Sequence, residues 1–314
     1  MVEVVIEQKK KRDIYLVPSE WNEVKGEALV EIAELLYSQE YKDYLDLVQE
    51  YVVSTGSTTN AETNEDEKFD WEQALNEIQR LYVKFKFEVL FIFLKGQNTN
   101  MRTYRAFRRL ITPEQFVDLL KLTDFIFKEI KLTKLDLGEL LPEGYAGPGE
   151  DFGNLILNEM VFAPQFYKGW HSTKKDYHLD MLCAVLFRVK GHPPTPFKGG
   201  LPTLQAQAAA DDARIPFDMY DVENNCVEIA KWDRKIKLAA LLWFEGCSRL
   251  MKEQFPNTHE HTDDAAKEDR NPAEMVLSLA GPKFGTVDET GRTRYVTILI
   301  FIEMQLKEIN KKAA

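Results

Sequence analysis

At 314 residues, 44% hydrophobic and 29% charged, the chain has the composition of a globular protein, long enough for one large domain or two ordinary ones. Its net charge of −11 repels nucleic acid and acidic membranes, so contact with either needs a local basic patch. The three cysteines, Cys183, Cys226 and Cys247, contain no CxxC pair, which argues against a disulfide framework or structural zinc and fits a reducing cytoplasm.

The chain opens on VEVVIE and IYLVP, rich in β-branched and aromatic residues, around the polar QKKKRD; this predicts a hairpin, with Trp21 folding back on it. The first residues lack the charged, apolar, small order of a signal peptide. The greasiest run, FEVLFIFL at 87–94, ends at Lys95 and Gly96, short of the ~20 residues a membrane span requires. A cytoplasmic protein is expected.

Residues 26–38 carry Leu29, Ile32, Leu35 and Leu36 at helical spacing, and a second helix follows in EYKDYLDLVQEYVV. Residues 1–53 thus read as a hairpin plus a helical pair. Residues 54–70 are Ser, Thr, Asn and acid with little to bury, a flexible linker. Asp70 suits an N-cap for a helix from Trp71 to about Leu94, whose second half is apolar on several faces and belongs in a core.

Thr112-Pro113-Glu114 predicts another helix start: cap, proline at the first position, acid in the first turn. KLTKLDL at 131–137 reads as a short strand, closing a helical region at 71–140. The Gly- and Pro-rich 141–154 is a loop. Residues 155–314 read as a further helical region, composite with 71–140. Within it LILNEMVFAPQFYKGW is half-helical and broken by Pro164, 176–189 is a strong helix, 190–215 a long loop, 222–255 helical and 256–272 a polar loop. AEMVLSLAG and VTILIFIEMQLKEINKK close the chain as helices. The fold class expected is mainly α, with a small N-terminal β-hairpin and long polar loops.

Gly246-Cys247-Ser248 resembles a nucleophile on a turn. As a helix, however, the stretch puts Ile236, Ala239, Ala240, Trp243, Cys247, Leu250 and Met251 on one stripe, which carries Cys247 into the core and leaves its thiol inert. Gly246 costs roughly 1 kcal/mol there against alanine, which implies a neighbouring element in close approach. The cluster at 259–264 sets His259, His261 and two carboxylates together, donors suited to zinc or manganese, but within a polar loop that lacks a rigid scaffold. No nucleotide-binding glycine pattern is present, and no catalytic residue, cofactor or metal is expected. The basic cluster MRTYRAFRRL places Arg102, Arg105 and Arg109 on one helix face, suited to an acidic protein surface rather than nucleic acid.

The order of LVPSEWNEVKGEALVEIAELL, DFGNLILNEMVFAPQFY, LDMLCAVLFRVKG, AKWDRKIKLAALLWFEGCSRLMKEQFP and EMVLSLAGPKFGTVDE resembles a family of tail-region proteins of tailed bacteriophages and prophages, encoded near the tape-measure gene. The resemblance implies tail morphogenesis without enzymatic activity: an assembly chaperone in the host cytoplasm, binding another tail protein of the tape-measure or tail-tube class. The alternatives are a minor tail or connector subunit of the virion, and a metal-dependent hydrolase built on the His259/His261 loop. Arg102, Arg105, Arg109 and Trp21 are the expected protein contacts, with a homo-oligomer as a further expectation.

Overall fold

A computed structural model describes residues 1–8, 11–56, 71–95, 112–191, 212–259 and 272–313. The described chain is mainly helical, with two small antiparallel two-stranded sheets. It divides into two compact units, Met1–Ile130 and Lys131–Ala314. The division falls before the Gly/Pro loop, so most of the helical region expected at 71–140 joins the N-terminal elements and not the C-terminal ones.

In the first unit, β1 (Val2–Gln8) pairs with β2 (Lys11–Val17) in a register that sets Val2 opposite Val17 and Val4 opposite Tyr15. Alternation buries Val4, Tyr15 and Val17 and leaves Val5 and Leu16 exposed, so one face of the hairpin meets the core. Helix α1 (Gly26–Leu36) buries Leu29, Val30, Ile32 and Ala33. Helix α2 (Gln39–Gly56) packs on α3 (Trp71–Lys95) through Tyr41, Tyr44 and Phe85, with Ile78, Tyr82 and Phe127 closing the cluster. The apolar end of α3 is central as expected: Phe85, Val89, Leu90, Phe93 and Leu94 are all buried. Helix α4 (Pro113–Lys121) starts as its sequence predicts. Gln115 N donates to Thr112 Oγ1 at 3.3 Å, and Thr112 N donates back to Gln115 Oε1 at 2.9 Å.

The second unit begins with an extended stretch. Residues 131–137 bury Leu132 and Leu137 but join no sheet, so the expected strand is corrected. Strand β3 (Tyr145–Ala146) pairs instead with β4 (Arg188–Val189). Helix α5 (Leu157–Thr173) runs through Pro164 without a break, contrary to expectation. A proline costs about 3 kcal/mol in mid-helix. The buried Leu157, Met160, Val161, Ala163 and Trp170 outweigh it.

Helix α6 (Asp176–Leu186) is shorter than the sequence suggested, because Phe187 turns extended and feeds β4. Its last carbonyls are capped from α7 (Met219–Ile229): Asn225 Nδ2 donates to Ala184 O at 2.9 Å and Phe187 O at 2.7 Å. Helix α8 (Arg234–Gln254) is separate from α7, with Asp233 as its cap. It is buried at every residue from Ile236 to Phe244, so the single apolar stripe was too narrow a reading. Helices α9 (Pro272–Leu279), α10 (Val287–Gly291) and α11 (Tyr295–Ala313) complete the unit, joined to α5 through Leu157, Val161, Val276, Phe284 and Ile298. No described helix is long and apolar enough to cross a membrane.

Candidate functional site

Arg102, Arg105, Arg109 and His261 lie outside the described residues. Trp21 is 2% exposed. Its indole Nε1 donates to Glu129 O at 3.0 Å, and its ring stands edge-on to Phe125. A side chain so committed packs the hairpin and presents nothing to a partner, so its place among the surface contacts is corrected. His259 is half-buried at the end of a helical turn at 256–259. Among the described residues, no three His, Cys, Asp or Glu side chains gather as a metal ion would need.

Cys247 sits where the helical reading places it. It is fully buried, burial pushes its thiol pKa up, and Sγ contacts Thr133 O at 3.5 Å. Trp243 Nε1 donates to the same carbonyl at 2.8 Å. The extended stretch thus lies directly on α8, and Gly246 permits it: a Cβ there would stand 2.1 Å from Leu132 O. This is the close neighbour that a mid-helix glycine implied. Cys183 is equally buried, and its thiol is likewise pushed up by burial.

The concentration of charge in the second unit was not anticipated. Glu159 on α5 is fully buried and meets two guanidiniums. Arg188 Nη1 pairs with its Oε1, and Arg214 Nη1 reaches the same oxygen at 3.0 Å. Asp212 closes the group, 2.7 Å from Arg214 Nη2 and 3.4 Å from Arg188 Nη2. The remaining donors find backbone: Arg214 Nη1 to Leu186 O at 2.8 Å, and Arg188 Nε to Ile215 O at 2.8 Å. Burial pulls the Arg188 pKa down. At Arg214 burial pulls the same way, but Glu159 and Asp212 outweigh it and hold the pKa above its ordinary value.

Two positive and two negative groups, each hydrogen-bonded, make a closed lattice that ties 212–215 to α5 and β4. Lys237 and Asp180 form a second closed pair, Nζ to Oδ1 at 2.6 Å, both buried. A sequence signal was present: Glu159 and Arg188 interrupt apolar runs, LILNEMVF and LCAVLFRV, where a charge must find a buried partner. Asp212 and Arg214 read only as a polar loop.

A polar group between α5 and α8 is partly open to water. His171 Nε2 lies 2.9 Å from Glu245 Oε1, and Tyr167 OH donates to the same oxygen at 3.3 Å. Burial raises the Tyr167 pKa, and Glu245 adds to it. This trio joins α5 to α8. A histidine oriented by a carboxylate can move a proton.

The exposed apolar side chains complete the inventory. In the first unit Leu45, Val52 and Val83 are exposed on α2 and α3. In the second, Tyr220 and Val227 stand out from α7, Leu277 from α9, and Ile300 and Met304 from α11. The chain matches no family model, no curated protein and no solved structure.

Proposed function

We propose that this chain works through its surfaces, as a non-enzymatic tail-assembly chaperone of a tailed bacteriophage. It acts in the host cytoplasm and binds another tail protein of the tape-measure or tail-tube class. The sequence resemblance suggests the phage context. The observation that carries the binding reading is the set of apolar side chains exposed on regular helices of both units, with Val52 59%, Met304 58% and Tyr220 89% exposed. Such positions suit an amphipathic helix laid against them. The interior charges of the second unit are consumed by one another, which leaves them a packing role.

Co-expression with a tape-measure-class protein tests this. A complex surviving gel filtration is expected, together with absence of the chain from finished particles by mass spectrometry. Presence at fixed stoichiometry in particles would make it a minor tail or connector subunit. Stoichiometric bound zinc or manganese in the purified protein, lost on His259→Ala, would favour the hydrolase.

A further inference from the structure

Two helix faces of the second unit have matching chemistry of opposite sign. On α11, Ile300, Met304, Lys307 and Lys311 follow at steps of four, three and four, hence on one face, and all are exposed. Lys312 adds to this end, and Lys307 also reaches the buried Glu303 at 3.4 Å. The face is apolar for one turn and mainly cationic for the next, with the exposed Glu308 at its border.

On α7, Tyr220, Glu223 and Val227 share a face and are all exposed, Tyr220 at 89% and Val227 at 61%. The helix carries Asp221, Glu223 and Glu228 with no lysine or arginine inside it, and its cap is Asp218. The neighbouring Lys231 is held by Glu228 at 2.8 Å. This face is apolar with an acidic border. The two helices attach to different members of the packed α5/α6 pair: α7 to α6, and α11 to α5.

We propose that these faces dock on each other between copies of this chain, α11 of one against α7 of the next. Met304 and Ile300 cover Tyr220 and Val227, while Lys307 and Lys311 meet Glu223 and Glu228. A second copy is favoured because each face supplies what the other lacks, the apolar seam and the opposite charge. Self-pairing of either face would set like charges together. A contact between two different faces is head-to-tail, so it propagates as an open row unless rotation closes it. Two helix faces bury less than a stable complex requires, so the dissociation constant should be on the order of 100 µM at low salt. This contact would take up Tyr220 and Met304, two of the exposed positions that support tail-protein binding, so the two readings compete for these faces; self-association of the purified chain tests this one with no tail protein present.

Sedimentation equilibrium of the full chain over a range of protein concentrations, at low and high salt, reads it directly. Mass should rise with concentration and fall with salt. Lys307→Glu with Lys311→Glu should weaken association about tenfold or more, as should Glu223→Lys with Glu228→Lys. All four substitutions in one chain should restore it, because the pairing is then inverted but intact. Far-UV circular dichroism confirms that each variant is folded. A wild type that stays monomeric throughout overturns the proposal. So does a four-fold variant no stronger than either pair, or reversal variants that associate like the wild type.

Discussion

The first unit packs its helices with rings. Tyr41, Tyr44 and Phe85 meet between α2 and α3, with Tyr41 and Phe85 edge to face at 5.1 Å. The charged side chain buried among its described residues, Lys86, is paired with Asp124 and lies 4.9 Å over the Tyr82 ring. The second unit also packs rings, as Phe152 does on Trp243 and Phe244, but in addition it sinks Glu159, Arg188 and Arg214 into its interior together. The difference follows what must be held. A regular helix carries its own apolar stripe and can be fixed by it. Residues 212–215 are irregular, with no stripe to offer, and are held by directional bonds to guanidinium and carboxylate. Turn 256–259 follows the same logic: the buried carboxylate of Glu303 accepts from Thr258 N and Thr258 Oγ1, each at 3.0 Å.

The strongest break of that contrast is Arg214→Met, which keeps volume and removes charge. It leaves Glu159 and Asp212 sharing one cation in a dry interior, and a loss of about 3–5 kcal/mol is expected in urea unfolding. Replacing Glu159, Arg188, Asp212 and Arg214 together by apolar residues of similar size should cost far less. That ordering is the signature of a lattice that specifies a path more than it adds stability. Equal losses for the single and the fourfold variant would remove the distinction between the units.

Glu303 sharpens the comparison through pH. Burial raises its pKa, but hydrogen bonds from Asn257 and Thr258 outweigh this and bring it from 4.5 to about 2. A carboxylate with a depressed folded pKa contributes stability that is complete above its unfolded value, and loses it as pH falls through the folded one. The loss should therefore run from about pH 5 down to about pH 2, on the order of 2 kcal/mol. Glu303→Gln should lower stability at neutral pH and flatten this limb. An unchanged slope would mean that Glu303 does not hold the turn.

Much of the architecture was legible because helix periodicity reports burial. The start of α4 follows from its cap and the extents of α1 and α3 from their stripes; Asp70, the expected cap of α3, lies outside the described residues. The extended stretch was misread because the buried Leu132 and Leu137, five positions apart, report only that some side chains enter the core. It says nothing of whether a backbone ladder exists, and here the partners are the Trp243 indole and the Asp151 amide. The lattice was half legible: Glu159 and Arg188 mark charges within apolar runs, but the bonds from Arg188 to Asp212 and from Arg214 to Glu159 span 24 and 55 positions, over which local pattern carries no information. Gly246 went the other way. One glycine in a good helix implied a neighbour, and Leu132 is that neighbour. Gly246→Ala should destabilise by roughly 2 kcal/mol despite alanine's better helix propensity, because the added carbon meets backbone and not a movable side chain. A stabilised variant would separate α8 from the extended stretch.

The smallest effect is expected at the thiols, and it bears on whether the second unit hides chemistry behind its packing. Cys247 has no exposed surface, and its pKa is raised by burial, so the thiolate that would react is scarce and out of reach. A thiol reagent at pH 7 should therefore leave Cys183 and Cys247 unlabelled in the native protein over hours. Cys226, 8% exposed, should react first of the three. Labelling of Cys247 should appear only with global unfolding, at the rate of the surrounding core. Were Cys247 labelled quickly and stoichiometrically while the fold stayed intact, α8 would have an opening to solvent. The case for function through helix surfaces would then need a reactive site beside it.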